Sequence, residues 1–257
     1  MEWPVCLRLG VLQVTLAGNR YNGWEAVGLT PFENPIVLLT RPTQSSELFR
    51  DALKAAAGAF RPYLCPAFEY EAVAYREVSF DAAIFTSKAG VQFAPSGNGR
   101  VAWCVGEATA QMARAKGYLT KTGTGNAMDL SKMILRSDLR DRMIHFRGEN
   151  VRIDVKAILE EAGLTCADTV IYRKVIARVP EGLLDVLNST DVFIVPMFSG
   201  ETVSIIEDWG LDLERAWVVA ISEEVALNAQ NLNPKGISTA ANPNLDEMVR
   251  IMTRLIA

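Results

Sequence analysis

Asp81-Ala-Ala-Ile-Phe-Thr-Ser87 runs directly into Lys88-Ala-Gly-Val-Gln-Phe93. The chain repeats the figure at Asp191-Val-Phe-Ile-Val-Pro-Met-Phe-Ser199, which runs into Gly200-Glu-Thr-Val-Ser-Ile-Ile206. In each copy a short apolar run reads as a buried strand, ends on a hydroxyl and turns into a stretch with helical spacing. A second strand-to-helix turn follows each copy. The first is Val101-Ala-Trp-Cys-Val-Gly-Glu-Ala-Thr-Ala110 and the second is Trp217-Val-Val-Ala-Ile-Ser-Glu-Glu-Val-Ala226. A unit stated twice predicts an α/β protein of two similar parallel-sheet domains that face each other and grip a ligand between paired turns. That geometry belongs to a cleft-binding protein, not to a structural one.

Working outward, further β-rich runs at 36–40, 143–146 and 170–175 join those at 82–85, 101–105, 192–195 and 216–221. All are apolar on both faces, as a parallel sheet covered by helices requires. Helical spacing places Leu48, Leu53 and Ala57 on one face after the capping candidates Ser45 and Ser46. It places Ile153, Ala157, Ile158 and Ala162 on another face after Asn150, with Gly163 as a stop. A last helix over 245–256 follows Asn242-Pro-Asn244. No low-complexity linker separates consecutive halves. The breaks at Phe60-Arg-Pro62 and near 173–180 predict a discontinuous domain, 35–60 with 175–257, and an inserted domain over 62–172. Two crossings close in space would make a natural hinge. Residues 1–34 read as a poorly ordered N-terminal extension. The segment 6–16 lacks a basic leader and is broken by Arg8, Gly10 and Gln13, so it makes a poor signal peptide. A start assigned upstream of a true start near Val27 is the other reading.

Composition narrows the chemistry. The chain has 257 residues, nearly half of them apolar, which is enough for a sizeable core. Its net charge of −4 argues against sequence-independent nucleic-acid binding. It leaves room for an anionic small molecule, because helix N-termini offer N–H donors without formal charge. Cys6, Cys65, Cys104 and Cys166 lack metal or disulfide spacing and read as reduced thiols of a cytosolic protein. No apolar run reaches the length of a membrane span. With one histidine, His145, a histidine-rich metal site or a Ser-His-Asp triad has little to work with. In Met143-Ile-His-Phe-Arg147 that histidine reads as a satisfied near-core residue.

The turns are where chemistry has its opening, since ligands in open α/β sheets sit at the carboxyl ends of strands. Thr86, Ser87 and Lys88 either cap a helix or direct N–H groups at a ligand, and the sequence leaves both readings open. Gly106 permits close backbone approach and Thr109 lies one turn on; Glu107 is accounted for by capping alone. Gly123-Thr-Gly-Asn126 lacks the third glycine and later acidic residue of a dinucleotide site, and no P-loop lysine follows any of these glycines. Ser199, Gly200 and Ser222 are the second-copy counterparts of Ser87 and Gly106. Arg41, Lys88, Arg147 and Arg152 are candidate carboxylate partners, each of which taken singly reads as a solvated surface charge. Tyr172, in Thr169-Val-Ile-Tyr-Arg173, is either a core tyrosine or a cleft tyrosine able to donate to a leaving group.

Taken together, Leu39-Thr-Arg-Pro42, Phe85-Thr-Ser87, Val105-Gly-Glu-Ala-Thr109, Phe146-Arg-Gly148, Val170-Ile-Tyr172, Phe198-Ser199 and Asn242-Pro-Asn244 resemble the uroporphyrinogen-III synthase family in order and spacing. The resemblance implies two α/β domains joined by a two-stranded ladder, with the site in the cleft between them, no metal or organic cofactor, and a monomer. It implies hydroxymethylbilane as substrate, a linear tetrapyrrole with eight carboxylates supplied by the preceding synthase. Loss of its hydroxyl as water gives an azafulvene; attack at ring D, then fragmentation and reclosure, give the macrocycle with ring D inverted. Tyr172 matches the tyrosine that assists loss of the hydroxyl. Thr86, Ser87, Gly106, Thr109 and Ser199 match cleft positions, with Lys88 and Gly200 adjacent to them; Arg41, Arg147, Gly148 and Ser222 complete the expected binding set. The sequence departs from the family pattern at Ile221-Ser-Glu-Glu-Val225, at Pro196-Met197 and at Pro95. A non-catalytic two-domain binding or sensor module, an inactive paralogue and a nucleotide-dependent α/β enzyme are the rival readings.

Overall fold

The structure is a computed structural model and describes residues 13–16, 19–22, 30–138 and 141–257. The chain divides into two compact units, one ending at Glu69 and resuming over Ile176–Ala257, the other formed by Tyr70–Val175. Along the chain the first unit opens with a two-stranded hairpin, β1 (Gln13–Leu16) and β2 (Asn19–Asn22). It continues through β3 (Ile36–Leu39), α1 (Thr43–Ala56) and β4 (Arg61–Leu64). The chain leaves this unit within β5 (Phe68–Ala72).

The second unit is built from β6 (Ala82–Phe85), α2 (Lys88–Phe93), β7 (Val101–Cys104), α3 (Glu107–Ala115), β8 (Leu119–Thr122), α4 (Ala127–Leu135), β9 (Met143–Gly148) and α5 (Val155–Glu161). The long β10 (Cys166–Ile176) carries the chain back. The first unit is then completed by α6 (Leu183–Asn188), β11 (Phe193–Met197), α7 (Gly200–Asp208), β12 (Ala216–Ala220), α8 (Glu223–Ala229), β13 (Gly236–Thr239) and α9 (Leu245–Leu255).

The two sheets share one plan. In the first unit the order is β2-β1-β13-β12-β11-β3-β4, and in the second it is β5-β10-β9-β6-β7-β8. Each contains a run of parallel strands in which three consecutive strands lie side by side and a βαβ pair flanks them on the other edge: β11-β12-β13 beside β3-β4, and β6-β7-β8 beside β9-β10. The strand order therefore reverses between β3 and β11 and again between β6 and β9. This is the expected pair of similar parallel-sheet α/β domains.

The strands are parallel and central because they are apolar on both faces. β3, β6, β11 and β12 are buried at every position. Side chains therefore fill a core on each side of each sheet. In the first unit one side is built around Leu38, Phe193, Val195 and Val218, and the other around Phe49, Ile194, Trp217 and Met252. In the second, Phe85, Phe146 and Ile171 lie on one side, with Trp103, Ile84 and Leu130 on the other. Each such fully buried side chain contributes about 1.5–3 kcal/mol of transfer free energy.

Several expectations are corrected. β4 pairs in register with β3, Ile36 opposite Arg61, so the first unit runs on to Glu69 and does not end at Phe60. The signal was obscured by Pro62, which an edge strand tolerates. Within the stretch read as a poorly ordered extension, β1 and β2 form strands, and β1 pairs antiparallel with β13; the rest of 1–29 lies outside the described residues. α1 begins after Pro42, so Ser46 is a buried helical residue bonded to the Arg41 carbonyl and not a cap, and Leu48 points outward. In α5 the cap is Asp154 and the buried face is Val155 and Leu159. Gly163, at φ +81°, does end that helix, and Asn244 caps α9.

Candidate active site

The predicted residues fall into two groups, one in each unit, most of them at the carboxyl ends of parallel strands or in the turn that follows, with Tyr172 where the pairing of β10 with β9 ends. In the second unit the group is organised by β9. This strand lies between β6 and β10, where the strand order reverses, a position at which open α/β sheets bind ligands. Its residues Phe146 and Gly148 are buried and Arg147 is half-buried.

Tyr172 is held from several sides. Its hydroxyl lies 2.9 Å from Ser87 Oγ. Phe93 stacks on the ring with centroids 5.9 Å apart, and Tyr70 meets it edge-on at 5.3 Å. A register shift in β10 between Val170 and Tyr172 sets Tyr172 opposite Gly148. An extra residue of this kind re-aims a side chain. The absence of a side chain at Gly148 is what admits the ring, because a Cβ there would stand 2.8 Å from two ring carbons. Gly90 plays a matching part, since a Cβ there would meet the Phe146 carbonyl oxygen at 2.7 Å and hold α2 off the sheet.

Ser87 also caps α2, accepting from the Gly90 N–H at 3.0 Å. Thus the capping reading and the proximity to Tyr172 are both present. Thr86 Oγ1 lies 2.9 Å from His145 Nε2, and Lys88 opens α2 with an exposed side chain. Gly106 precedes α3 with no side-chain cap. It lies beside Gly125 of the glycine-rich turn, whose φ of +117° and N–H bond to the Val105 carbonyl fold that turn back over β7. Thr109 is buried in the first turn of α3. Arg147 is committed within the protein: its Nε donates to Asp168 at 2.6 Å and its Nη1 to the Gly148 and Glu149 carbonyls.

In the first unit Arg41, Ser199, Gly200 and Ser222 stand at the ends of β3, β11 and β12. The Arg41 guanidinium lies 4.1 Å above the Phe198 ring, and burial lowers its pKa from the usual value. Ser199 Oγ accepts from the Thr202 N–H at 3.2 Å, and Ser222 Oγ from the Val225 N–H at 3.3 Å. Gly200 sits against Asn228, where a Cβ would come within 2.7 Å of the amide nitrogen. A cavity of about 410 Å³ in the second unit lies elsewhere, at the opposite strand ends, between the Tyr75–Phe80 segment, Pro95, Arg100 and Phe146; none of the predicted residues lines it.

Sequence reasoning missed Tyr70, Phe93 and Gly90. Gly90, two residues into a predicted helix, was the available signal for Gly90, because glycine is costly there unless close packing demands it. The aromatic contacts of Tyr172 had no local signal.

A family profile described as HEM4, uroporphyrinogen-III synthase HemD, matches residues 29–250. This chain belongs to the uroporphyrinogen-III synthase family. Its fold resembles the crystal structure of uroporphyrinogen-III synthetase from Helicobacter pylori, with a TM-score of 0.57 at 16% identity over 85% of this chain and 97% of that one. Two structures of the Thermus thermophilus uroporphyrinogen III synthase are also similar at 16% identity: a mutant with a TM-score of 0.44, covering 86% of this chain and 97% of that one, and the wild type at 0.36, covering 86% and 96%. No curated protein matches the chain. In this family member no helix among the described residues is long and apolar enough to cross a membrane. Cys65, Cys104 and Cys166 are buried thiols pushed up to about 12 by desolvation, which makes them poor nucleophiles.

His145 has the opposite shift. Burial pushes it down to about 4, helped by the Arg147 charge and opposed by Asp168 and Asp154. A folded value below the ordinary 6.5 means that the unfolded chain takes up a proton which the folded chain refuses. The stabilisation is complete above pH 6.5 and is lost as pH falls toward 4, roughly 2–3 kcal/mol of it by pH 4.5. Urea unfolding at pH 7 and pH 4.5 checks this: the wild type should lose about that much more stability between the two than His145→Leu. Equal losses would show that His145 is not the source.

Proposed function

We propose that this protein is a uroporphyrinogen-III synthase, dehydrating and cyclising hydroxymethylbilane to uroporphyrinogen III with inversion of ring D. The observation that carries the residue assignment is the Tyr172 hydroxyl 2.9 Å from Ser87, at the strand ends of a chain in this family. In this reading Tyr172 donates to the departing hydroxyl of the bilane. Ser87 fixes the direction of that donation, and water leaves without a metal or organic cofactor. The bilane closes unaided to the wrong isomer, so the enzyme's task is to hold one folded conformer and favour one closure. Few acid–base groups are needed for that, in keeping with one histidine, which is buried and neutral.

The substrate's carboxylates are taken up at Thr86, Lys88, Gly106, Thr109 and Gly148 in one unit and at Arg41, Ser199, Gly200 and Ser222 in the other. Arg147 contributes by ordering the Gly148–Glu149 backbone, since Asp168 already occupies its guanidinium. A cytoplasmic monomer receiving the bilane from the preceding synthase completes the proposal. The test is the rate of disappearance of hydroxymethylbilane generated in situ. Catalysis accelerates it well above spontaneous closure, whereas a binding module leaves it unchanged or slows it.

A further inference from the structure

β9 contributes a residue that the predicted site did not include. His145 is the chain's one histidine and is 2% exposed. It stands in register with Ile84 of the adjacent β6, and its Nε2 lies 2.9 Å from Thr86 Oγ1. Thr86 is the residue before Ser87, which both caps α2 and meets the Tyr172 hydroxyl. The bond therefore ties the end of β6 to β9 at the point where the chain turns into α2. On the imidazole's face of the sheet, Met143 of β9 and Ile84 of β6 are buried and apolar. An imidazole buried among them costs free energy unless its hydrogen bond is made, so the pair holds its geometry tightly.

We infer that His145 is a positioning residue for Tyr172: through Thr86 it fixes the β6–α2 turn, and with it Ser87, where the tyrosine hydroxyl needs it. The kinetic side of this rests on the proposed role of Tyr172; the geometric side does not. The charged groups acting on the imidazole are Arg147 of its own strand, Asp168 of β10 and Asp154 at the start of α5. Arg147 and Asp168 are paired with each other, which leaves Thr86 as the imidazole's specific partner.

The experiment compares wild type, His145→Leu, His145→Gln and Thr86→Val, each with ring-labelled tyrosine. Glutamine keeps a polar atom near the Nε2 position; leucine keeps only bulk. The Tyr172 resonance, identified by its loss in Tyr172→Phe, is expected to shift in His145→Leu and Thr86→Val and to return toward wild type in His145→Gln. In His145→Leu kcat for bilane conversion is expected to fall about tenfold with KM nearly unchanged, and to recover in His145→Gln; Thr86→Val is read by the resonance alone. Should His145→Leu fail to fold, Thr86→Val carries the test. A Tyr172 resonance unmoved in both His145→Leu and Thr86→Val overturns the proposal and makes His145 a core residue only. Absence of turnover in the wild type strikes the proposed reaction alone, and the resonances still decide the positioning.

Discussion

Tyr172→Phe is expected to lower the turnover of hydroxymethylbilane by about 100-fold or more, within the range of a lost proton donor, while changing folding stability by no more than about 1 kcal/mol. The two effects separate because the ring and the hydroxyl have different partners. The ring packs against Phe93 and Tyr70 and fills the space left by Gly148, and phenylalanine keeps all three contacts. The hydroxyl has Ser87 as its partner, and Ser87 retains the Gly90 N–H when the hydroxyl is removed. No buried polar atom is left stranded. Turnover close to wild type in this variant would remove Tyr172 from the mechanism.

Gly148→Ala is expected to reach the same hydroxyl from the other side. The added Cβ would stand 2.8 Å from Tyr172 Cε2 and Cζ and 3.1 Å from its hydroxyl oxygen. The ring must move, and Phe93 stacked on it limits the direction. Overpacking of this kind costs about 1–3 kcal/mol of stability. A displacement on the order of 1 Å lowers turnover by up to about 100-fold. The cycle with Tyr172→Phe gives the stricter test. If Gly148 acts by seating the hydroxyl, Gly148→Ala lowers kcat little further once the hydroxyl is gone. Full additivity of the two losses would mean that Gly148 acts through something other than Tyr172.

Much of this was legible in the chain. The runs around Ile84, Trp103, Ile194 and Val218 are apolar on both faces, and only a covered parallel sheet uses strands in that way. The hydroxyls of Ser87, Ser199 and Ser222 marked helix starts because a short polar side chain is the favoured cap. Edge strands were harder to read. Arg61–Leu64 carries a proline, and Leu119–Thr122 is exposed at alternate positions. Helix faces shifted where a cap was misplaced, as at Ser46, because one residue turns a helix through about 100°. The site was legible residue by residue but not as an assembly. That Thr86 meets His145 and Ser87 meets Tyr172 depends on strand order and on the irregularity at Ile171, and neither leaves a local trace.

The isomer composition of the product shows whether ring D is inverted. Hydroxymethylbilane is generated in situ and mixed with the protein, the products are oxidised, and the type I and type III porphyrins are separated by chromatography. Type III is expected well in excess of the protein-free control, with a return toward type I in Tyr172→Phe. Type I alone, from protein shown to be folded, would contradict the synthase reading and leave a two-domain binding module in its place.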